Sequence, residues 1–477
     1  MKALTKVMWK RLILILAAVA ILAFCVFWFS GKQAVLKLSS PVAAIGMETP
    51  VRVEVSDPHG VKSLSATIEQ NGLSQVIYRD QRASNQPLRV YQFSAGKKQA
   101  AFLKEGPARL ILRATSNDLR SRTTTLAQDV QVILRPPTIV ADGRQHYINQ
   151  GGAELVLLDL GGNWTEAGVR VGKYSAGTFP MPGEPDHSGH RFSLFPFPWD
   201  VPADVVPVAF ARNAAGTEVT TSFWTKVFPK KFRHSNINVT DREMQKVVGE
   251  LDPDGTGSLV DRFVKLNRDM RKANAETIYE LRNNTEKRIL WSGPFIPVKG
   301  ARESYFADDR TYFYNGKKID EEVHLGYDLA QTANMPVKAA NSGRVIYAAP
   351  LGIYGNCVII DHGYSLQSLY GHLSRILVKP GDLVQKEQQI GVSGSTGMAF
   401  GDHVHFSMLI AGIQVDPKEW WDEHWIQDRI LSKLGSPASA AETASAEPRA
   451  KNASLRSSRS AVKTRKSVSS HSHRHSQ

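Results

Sequence analysis

Two histidines separated by a single residue stand in the segment GDHVHF, residues 401–406, of a chain with 14 histidines and only two cysteines. Side chains alternate faces along a β-strand, so His403 and His405 share one face if this segment is a strand. Such histidines can be a hydrogen-bonded surface pair. They can also belong to a metal site, since neutral imidazole is a preferred zinc ligand. The second interpretation requires further ligands elsewhere in the chain.

Those further ligands must be histidine or carboxylate side chains. Cys25 lies in an apolar N-terminal run, which leaves Cys357 alone in the rest of the chain and excludes a disulfide framework or cysteine coordination. The segment HLGYD supplies His324 and Asp328, which make three protein ligands together with His405. Structural zinc sites have four protein ligands, whereas catalytic sites typically have three and an open fourth position. At that position the metal binds a water molecule and lowers its pKa.

Hydrolysis of a peptide bond also needs a group that moves the proton and a group that stabilises the developing oxyanion. His403 shares its strand face with His405, and we predict that it is the general base. His372, in the segment YGHLS, is a second catalytic candidate. A lone histidine in such a strand is more often structural. A catalytic role for His372 is favoured only because the other four candidate site residues are present in the same chain.

Taken together, these segments resemble a known family, the lysostaphin-like (LytM-type) zinc metallopeptidases. Five segments occur in the order and approximate spacing of that family: HLGYD (324–328), GIYGNCVIIDHG (352–363), YGHLS (370–374), GSTG (394–397) and GDHVHF (401–406). The resemblance covers about residues 300–420 and implies an antiparallel β-sheet that lines a groove and an activity that hydrolyses peptidoglycan peptides. It further implies one zinc ion per chain and these roles: His324, Asp328 and His405 as ligands, His372 and His403 as catalytic residues, and His362 as a structural residue.

Three positions depart from the family pattern. Asp402 stands where a proline usually precedes the histidine pair, and Ser407 stands where a glutamate usually follows the aromatic residue. That glutamate is not a ligand, so we expect its replacement to change the surroundings of the ligands rather than zinc binding. Glu387 occupies the place of a turn glycine. A non-glycine residue with positive φ costs about 1 kcal/mol, so the turn is expected to differ locally.

The rest of the chain must position these residues, and 477 residues exceed one ordinary core. Period-2 alternation in segments such as VRVEVSD (51–57) and AELVLLDL (153–160) predicts strands in the N-terminal half. A capping box at Thr240 and Glu243 predicts that helices follow. We predict a mainly β protein with six parts: a cytoplasmic basic flank and transmembrane signal anchor (1–33), a β-sandwich-like module (34–135), a second β-rich module (136–235), a helical connector (236–298), an antiparallel β-sheet peptidase domain (299–432) and a basic disordered tail (433–477).

The N-terminus and the charge indicate an exported protein. An unbroken apolar run from Leu12 to Phe29 is long enough to span a bilayer, and four basic residues precede it. The positive-inside rule then leaves the N-terminus in the cytoplasm. The run ends without a good cleavage site, which argues against a cleaved signal peptide. The net charge of +14 favours an anionic partner, and export favours an anionic envelope polymer or membrane surface over nucleic acid.

These features predict a membrane-anchored zinc metalloendopeptidase that hydrolyses peptide bonds of peptidoglycan. Its single span would lie in the bacterial inner membrane, with the catalytic domain on the periplasmic or outer side. The alternative is a catalytically silent scaffold or activator of other cell-wall hydrolases, because some members of the family have lost their ligands. All five polar positions are present here, which favours the enzyme. The bond that is cut, and whether the helical connector covers the groove, depend on tertiary structure.

Overall fold

The computed structural model of the chain describes residue 9 and residues 13–24, 33–118, 120–330 and 332–435. These residues are mainly β, as predicted, and residues 13–24 are helical. None of the helices described is long and apolar enough to cross a membrane, so the transmembrane helix predicted over Leu12–Phe29 is not supported. Leu12 and residues 25–29 of that run lie outside the described residues, as does the predicted tail from residue 436 onwards.

The first β-module consists of two sheets with a common apolar core. Alternate residues of its strands point inwards, and Val51, Val53 and Val55 are fully buried. Fully burying a valine contributes about 1.5–3 kcal/mol, so this alternation fixes the register of the strands. One sheet has the order Val35–Leu38, Thr49–Ser56 and Leu88–Ala95. The other has the order Ala44–Ile45, Thr123–Val132, Gly106–Ser116, Val61–Gln70 and Leu73–Asp80.

The second β-module contains two four-stranded sheets and one parallel pair of strands. The first sheet has the order Phe179–Pro180, His190–Pro196, Ala153–Gly161 and Thr138–Ala141. The second has the order Tyr174–Gly177, Glu166–Val171, Val208–Arg212 and Glu218–Ser222, and the parallel pair is His146–Asn149 with Thr225–Phe228. Phe195 of this module and Trp420 of the C-terminal domain belong to one buried apolar cluster.

Buried polar contacts join this second module to the C-terminal domain. Glu419 accepts hydrogen bonds from Asn149 Nδ2 at 2.8 Å and from the backbone N–H of Ala153 at 2.9 Å. Lys433 Nζ donates to Glu154 Oε1 at 2.7 Å. Lys433 and Leu434 are buried, so the chain is still packed at the position where the tail was predicted to begin. The second module is therefore packed against the C-terminal domain and is not a separate spacer.

Helices follow the second module. Asp241–Leu251 begins with the predicted capping box, in which Glu243 Oε2 accepts from the backbone N–H of Thr240 at 2.8 Å. The segment DPDGTG (252–257) is the turn to the next helix, and Met244 and Phe263 on either side of it belong to one buried apolar cluster. The following helical elements are Leu259–Lys265, a π-helical turn Leu266–Met270, Arg271–Glu280 and a 3₁₀ turn Leu281–Asn283.

The C-terminal domain is built on an eight-stranded sheet. Its order is Ala301–Ser304, Tyr327–Ala330, His403–Ile410, Leu366–Leu373, Asn356–Asp361, Gly343–Pro350 and Leu383–Val384, with Ile413–Val415 paired to His403–Ile410. Two three-stranded sheets flank it: Pro336–Lys338, Gln389–Val392 and Arg375–Ile376; and His234–Asn238, Asp308–Tyr314 and Lys317–His324. A 3₁₀ turn, Gly352–Tyr354, and the helical elements Lys418–Trp421, Glu423–Ile426, Gln427–Leu431 and Ser432–Leu434 complete it. Every residue of His403–Ile410 is buried, so this strand is a fixed frame for the side chains that it carries.

Candidate active site

The five predicted site residues line one cavity of about 340 Å³. His405 lies directly opposite Asp328 in an antiparallel pair of strands and opposite Gly371 on its other side. His372 is the next residue after Gly371, and His403 lies two residues before His405 on the same face. His324 ends the hairpin strand Lys317–His324, four residues before Asp328. Three neighbouring strands and one hairpin end therefore converge on a single point.

Three atoms of the predicted ligands lie within hydrogen-bonding distance of one another. His324 Nε2 is 2.9 Å from Asp328 Oδ1 and 2.9 Å from His405 Nδ1. His405 Nδ1 is 3.1 Å from the same carboxylate oxygen. All three side chains are buried, and the group has the composition and compactness of a site that could hold a metal ion.

In His324 and His405, the ring nitrogen that does not face Asp328 determines which ring atom carries the hydrogen. His324 Nδ1 lies 3.1 Å from the carbonyl of Tyr305, which can only accept, so Nδ1 carries the hydrogen. His405 Nε2 lies 2.9 Å from Ser407 Oγ, whose one hydrogen is donated to the Leu325 carbonyl at 2.7 Å. Ser407 therefore accepts from His405 Nε2. In the neutral rings, the lone pairs of His324 Nε2 and His405 Nδ1 face each other and the same carboxylate oxygen.

Three lone pairs at one point have no hydrogen to share, and this is the arrangement that ligands adopt around a cation. Both rings resist protonation. Burial is the larger cause and the nearby charge of Arg310 the smaller, and they lower the pKa of His324 to about 3. Burial also lowers the pKa of His405. Tetrahedral zinc takes nitrogen and oxygen ligands that lie roughly 3.3 Å apart. The observed separations of 2.9–3.1 Å are close to this value, and the donor set fits a divalent cation such as zinc.

Arg310 keeps the carboxylate of Asp328 charged and oriented. Its Nη2 donates to Asp328 Oδ2 at 2.8 Å and to Ser304 Oγ at 2.6 Å, so Oδ1 is left for the ligand position. Burial opposes the charge of Asp328, but His324, His405 and Arg310 together hold the pKa of this carboxyl group well below its usual range. Sequence reasoning missed Arg310. An arginine in a strand carries no pattern that distinguishes it from a surface residue.

The two predicted catalytic histidines are oriented by one loop. His372 Nδ1 donates to the carbonyl of Thr396 at 2.8 Å, and His403 Nδ1 donates to the carbonyl of Gly401 at 3.0 Å. The ring centroids are 4.6 Å apart, and His403 Nε2 is 3.6 Å from Asp328 Oδ1. Burial, followed by the charges of neighbouring histidines, holds the pKa of His372 well below its usual range. His372 therefore rests in its neutral form with Nε2 able to accept a proton.

Comparison with known proteins gives the domain its family. Residues 322–417 match Peptidase family M23. This segment is an M23 peptidase domain. The peptidoglycan DD-endopeptidase ShyA of Vibrio cholerae serotype O1 is 39% identical over 93 residues, which are 20% of this chain and 22% of that protein. ShyB of the same organism is 38% identical over 138 residues, which are 29% of this chain and 32% of that protein.

Among solved structures, the catalytic domain of the antimicrobial peptidase lysostaphin from Staphylococcus simulans is 29% identical, with a TM-score of 0.20; the match covers 30% of this chain and 96% of that chain. The curated relatives are matched over about a fifth to a third of their own length. The likeness therefore concerns the M23 domain.

Two backbone positions in the M23 domain are strained or crowded around the ligands. Gly326 lies against the imidazole of His405, and a Cβ there would lie 2.6 Å from its Nε2, so only glycine permits this approach. His372 has φ +63, a left-handed conformation that costs a non-glycine residue about 1–3 kcal/mol. Away from the ligands, Glu387 has φ +67, so the turn keeps the conformation for which glycine is usual, and the expected local difference is not seen at this residue.

The other singled-out residues of the M23 domain lie outside the cavity. His362 Nδ1 donates to the Ser342 carbonyl at 2.7 Å, and its Nε2 lies 2.7 Å from Ser368 Oγ. Asp402 Oδ2 accepts from the backbone N–H of Asn334 at 3.1 Å. These contacts fix loops and strands, and none of them involves the three candidate ligand atoms.

The cavity of the M23 domain also has walls from outside residues 322–417. Arg271 of the helical segment, Ile237 of the strand before it, and Arg310 and Tyr312 of the neighbouring sheet all line it. Apolar residues of the loop after the GSTG segment, including Phe400, also line the cavity. The helical segment thus contributes one wall of the groove and leaves the candidate ligands in contact with the cavity.

Proposed function

We propose that this protein is a zinc metalloendopeptidase that hydrolyses peptide bonds of peptidoglycan and is anchored in the bacterial inner membrane. The observation that carries the proposal is the convergence of three lone pairs from His324, Asp328 and His405 beside two histidines with available Nε2 atoms. Relatives named peptidoglycan DD-endopeptidase support the substrate class. The apolar run Leu12–Phe29 and its basic flank support the anchor.

The residues of the chain divide the chemistry between them. Zinc held by the three ligands would act as a Lewis acid and lower the pKa of a water molecule. His403 Nε2 accepts a proton from the attacking water, and the Gly401 carbonyl and the Asp328 carboxylate stabilise the imidazolium. The His403 imidazolium then delivers this proton to the leaving amine, directly or through Nε2 of His372, which lies beside it. While it carries the proton, His372 also stabilises the oxyanion. Burial of the five side chains lowers the local dielectric constant, which strengthens these charge interactions.

The groove also suits an anionic peptide. Arg271 donates from Nη2 to Asn267 Oδ1 at 2.8 Å and lies 3.6 Å from Glu322, but its Nη1 donates to no group in the part of the chain that the structure describes. The exposed Glu303 also lines the cavity and opposes an anion. Arg271 and Arg310 nevertheless both line the cavity that contains the candidate ligands, so we include a substrate carboxylate bound by Arg271 in the proposal.

The decisive experiment is digestion of purified sacculi by the zinc-loaded full-length protein, with the released ends identified by mass spectrometry. We expect wall peptides to be released by the unmodified protein and not by the His403→Ala variant. A zinc-bound protein that never releases peptides would support the scaffold or activator instead. The anchor is tested separately: a mature protein that begins near Gly31 and is free in the soluble envelope fraction would overturn it.

A further inference from the structure

Helix Asp241–Leu251 holds the loop that orients both catalytic histidines. Lys246 Nζ donates to the backbone carbonyls of Gly397 at 3.3 Å and Ala399 at 3.0 Å, and also to the carbonyl of Ser395. An ammonium group has three hydrogens, so three carbonyls of one loop can each accept one, and Glu250 Oε2 lies 3.7 Å from the same nitrogen as an ion pair. Glu250, one turn further along the helix, accepts from the backbone N–H of Gly397 at 2.6 Å.

The same loop presents its intervening carbonyl to the catalytic site. The carbonyls of Ser395 and Gly397 face Lys246, whereas the carbonyl of Thr396 between them accepts from His372 Nδ1 at 2.8 Å. Gly397 has φ +72, and a Cβ there would lie 2.3 Å from the backbone nitrogen of Gly355, so only glycine fits where the loop packs against that residue. Thr396 also donates from its own Oγ1 to the Leu373 carbonyl at 2.9 Å, so the direction of the Thr396 carbonyl is set by this bond together with the groups that hold the peptides on either side.

We propose that Lys246 is a positioning residue for catalysis, which acts through the Thr396 carbonyl on His372. By fixing the peptide groups of residues 395–399, the ammonium keeps the hydrogen of His372 on Nδ1 and leaves Nε2 to take part in proton transfer. Lys246 lies outside the M23 domain of residues 322–417, so the helical segment is a part of the active site and not only a connector. The inference rests on the proposed peptidase function.

The test compares variants of the full-length, zinc-loaded protein on a soluble cross-linked peptidoglycan fragment. Lys246→Met keeps the aliphatic stem and removes the ammonium. We expect kcat to fall about 10- to 100-fold while KM changes less than about 2-fold and bound zinc stays at one equivalent. Lys246→Arg should recover most of the loss. Arg242→Ala, an exposed position on the same helix, is the matched control and should be unchanged.

A double-mutant cycle with His372→Ala separates positioning from a merely structural role. If Lys246 acts through His372, Lys246→Met should cause little further loss of kcat in the His372→Ala background. A full additional loss in that background would overturn the proposal, as would an unchanged kcat in Lys246→Met. A Lys246→Met protein that fails to fold while Lys246→Arg folds would assign Lys246 to stability alone and also overturn it.

A readout without turnover keeps this inference distinct from the proposed function. The ¹⁵N chemical shifts of His372 report which ring nitrogen carries the hydrogen. We expect one tautomer, protonated at Nδ1, in the unmodified protein and a mixture of tautomers in Lys246→Met. Identical shifts in the two proteins would refute the positioning role, whereas absence of hydrolysis by the unmodified protein would refute the peptidase function.

Discussion

Ser407 offers a sharp test of the site, because it determines where the hydrogen of His405 resides. Ser407 is fully buried, accepts from His405 Nε2 at 2.9 Å and donates its own hydrogen to the Leu325 carbonyl at 2.7 Å. Ser407→Ala removes the acceptor. The hydrogen can then move to Nδ1 and form a bond to Asp328 Oδ1, which lies 3.1 Å away. The ligand lone pair of His405 is lost in that tautomer.

The magnitude follows from two terms. The metal-free variant gains a hydrogen bond between His405 and Asp328, which is worth about 1 kcal/mol. The zinc-bound variant leaves a buried N–H without an acceptor, which costs about 1–3 kcal/mol. Loss of a hydrogen-bonding partner of a zinc ligand commonly lowers affinity about 10- to 100-fold. We therefore expect the dissociation constant for zinc to rise by about that factor.

The assay is competition for zinc between the full-length protein and a fluorescent chelator. Ser368→Ala is the matched control, because Ser368 is also a fully buried serine beside a histidine, His362, that is not a candidate ligand. We expect that control to lose stability and keep its zinc affinity. Equal zinc affinities in Ser407→Ala and the unmodified protein would refute the assignment of the His405 hydrogen to Nε2 and weaken the argument from convergent lone pairs.

Three further predictions follow from the site and its surroundings. His405→Ala should lose bound zinc and activity together, whereas His403→Ala should keep about one zinc and lose activity by a factor of roughly 10²–10⁴. Elemental analysis measures the bound zinc, and turnover measures the activity. Equal zinc loss in the two variants would contradict the division of roles. Arg271→Gln should raise KM for a peptide with a free carboxylate more than for its amidated analogue. Lys272→Gln, at an exposed position, is the control. Equal effects on both peptides would exclude binding of a substrate carboxylate by Arg271. Burial raises the pKa of Glu419 to about 8 from an ordinary value of about 4.5, so the folded state binds a proton more tightly than the unfolded chain, and stability should fall as pH rises from about 4.5 through 8. Thermal unfolding across this range should show a smaller slope in Glu419→Gln, and an equal slope would show that other groups cause the decline.

The sequence alone was enough to predict the M23 domain, the mainly β architecture and the start of the first connector helix. Such features depend on local order in the chain: motif spacing, period-2 alternation and a capping box at Thr240 and Glu243. The five candidate site residues were selected from motif spacing, and the structure places all of them on one cavity. Their roles in zinc binding and catalysis stay predictions. The transmembrane helix over Leu12–Phe29 is the part of the prediction that the described helices do not support.

Only the tertiary structure decided which groups surround those five residues. Lys246 contacts a loop 149 residues away, and Glu419 accepts a hydrogen bond from a backbone 266 residues away. Neither contact leaves a periodic or spaced pattern, because a side chain and a distant backbone carbonyl or N–H place no constraint on neighbouring residue types. The sequence around Arg310 likewise does not distinguish it from other arginines in strands, and it becomes the partner of Asp328 only when the sheets pack together. Motif spacing therefore identifies the candidate ligands, while long-range packing decides how their hydrogens and charges are held.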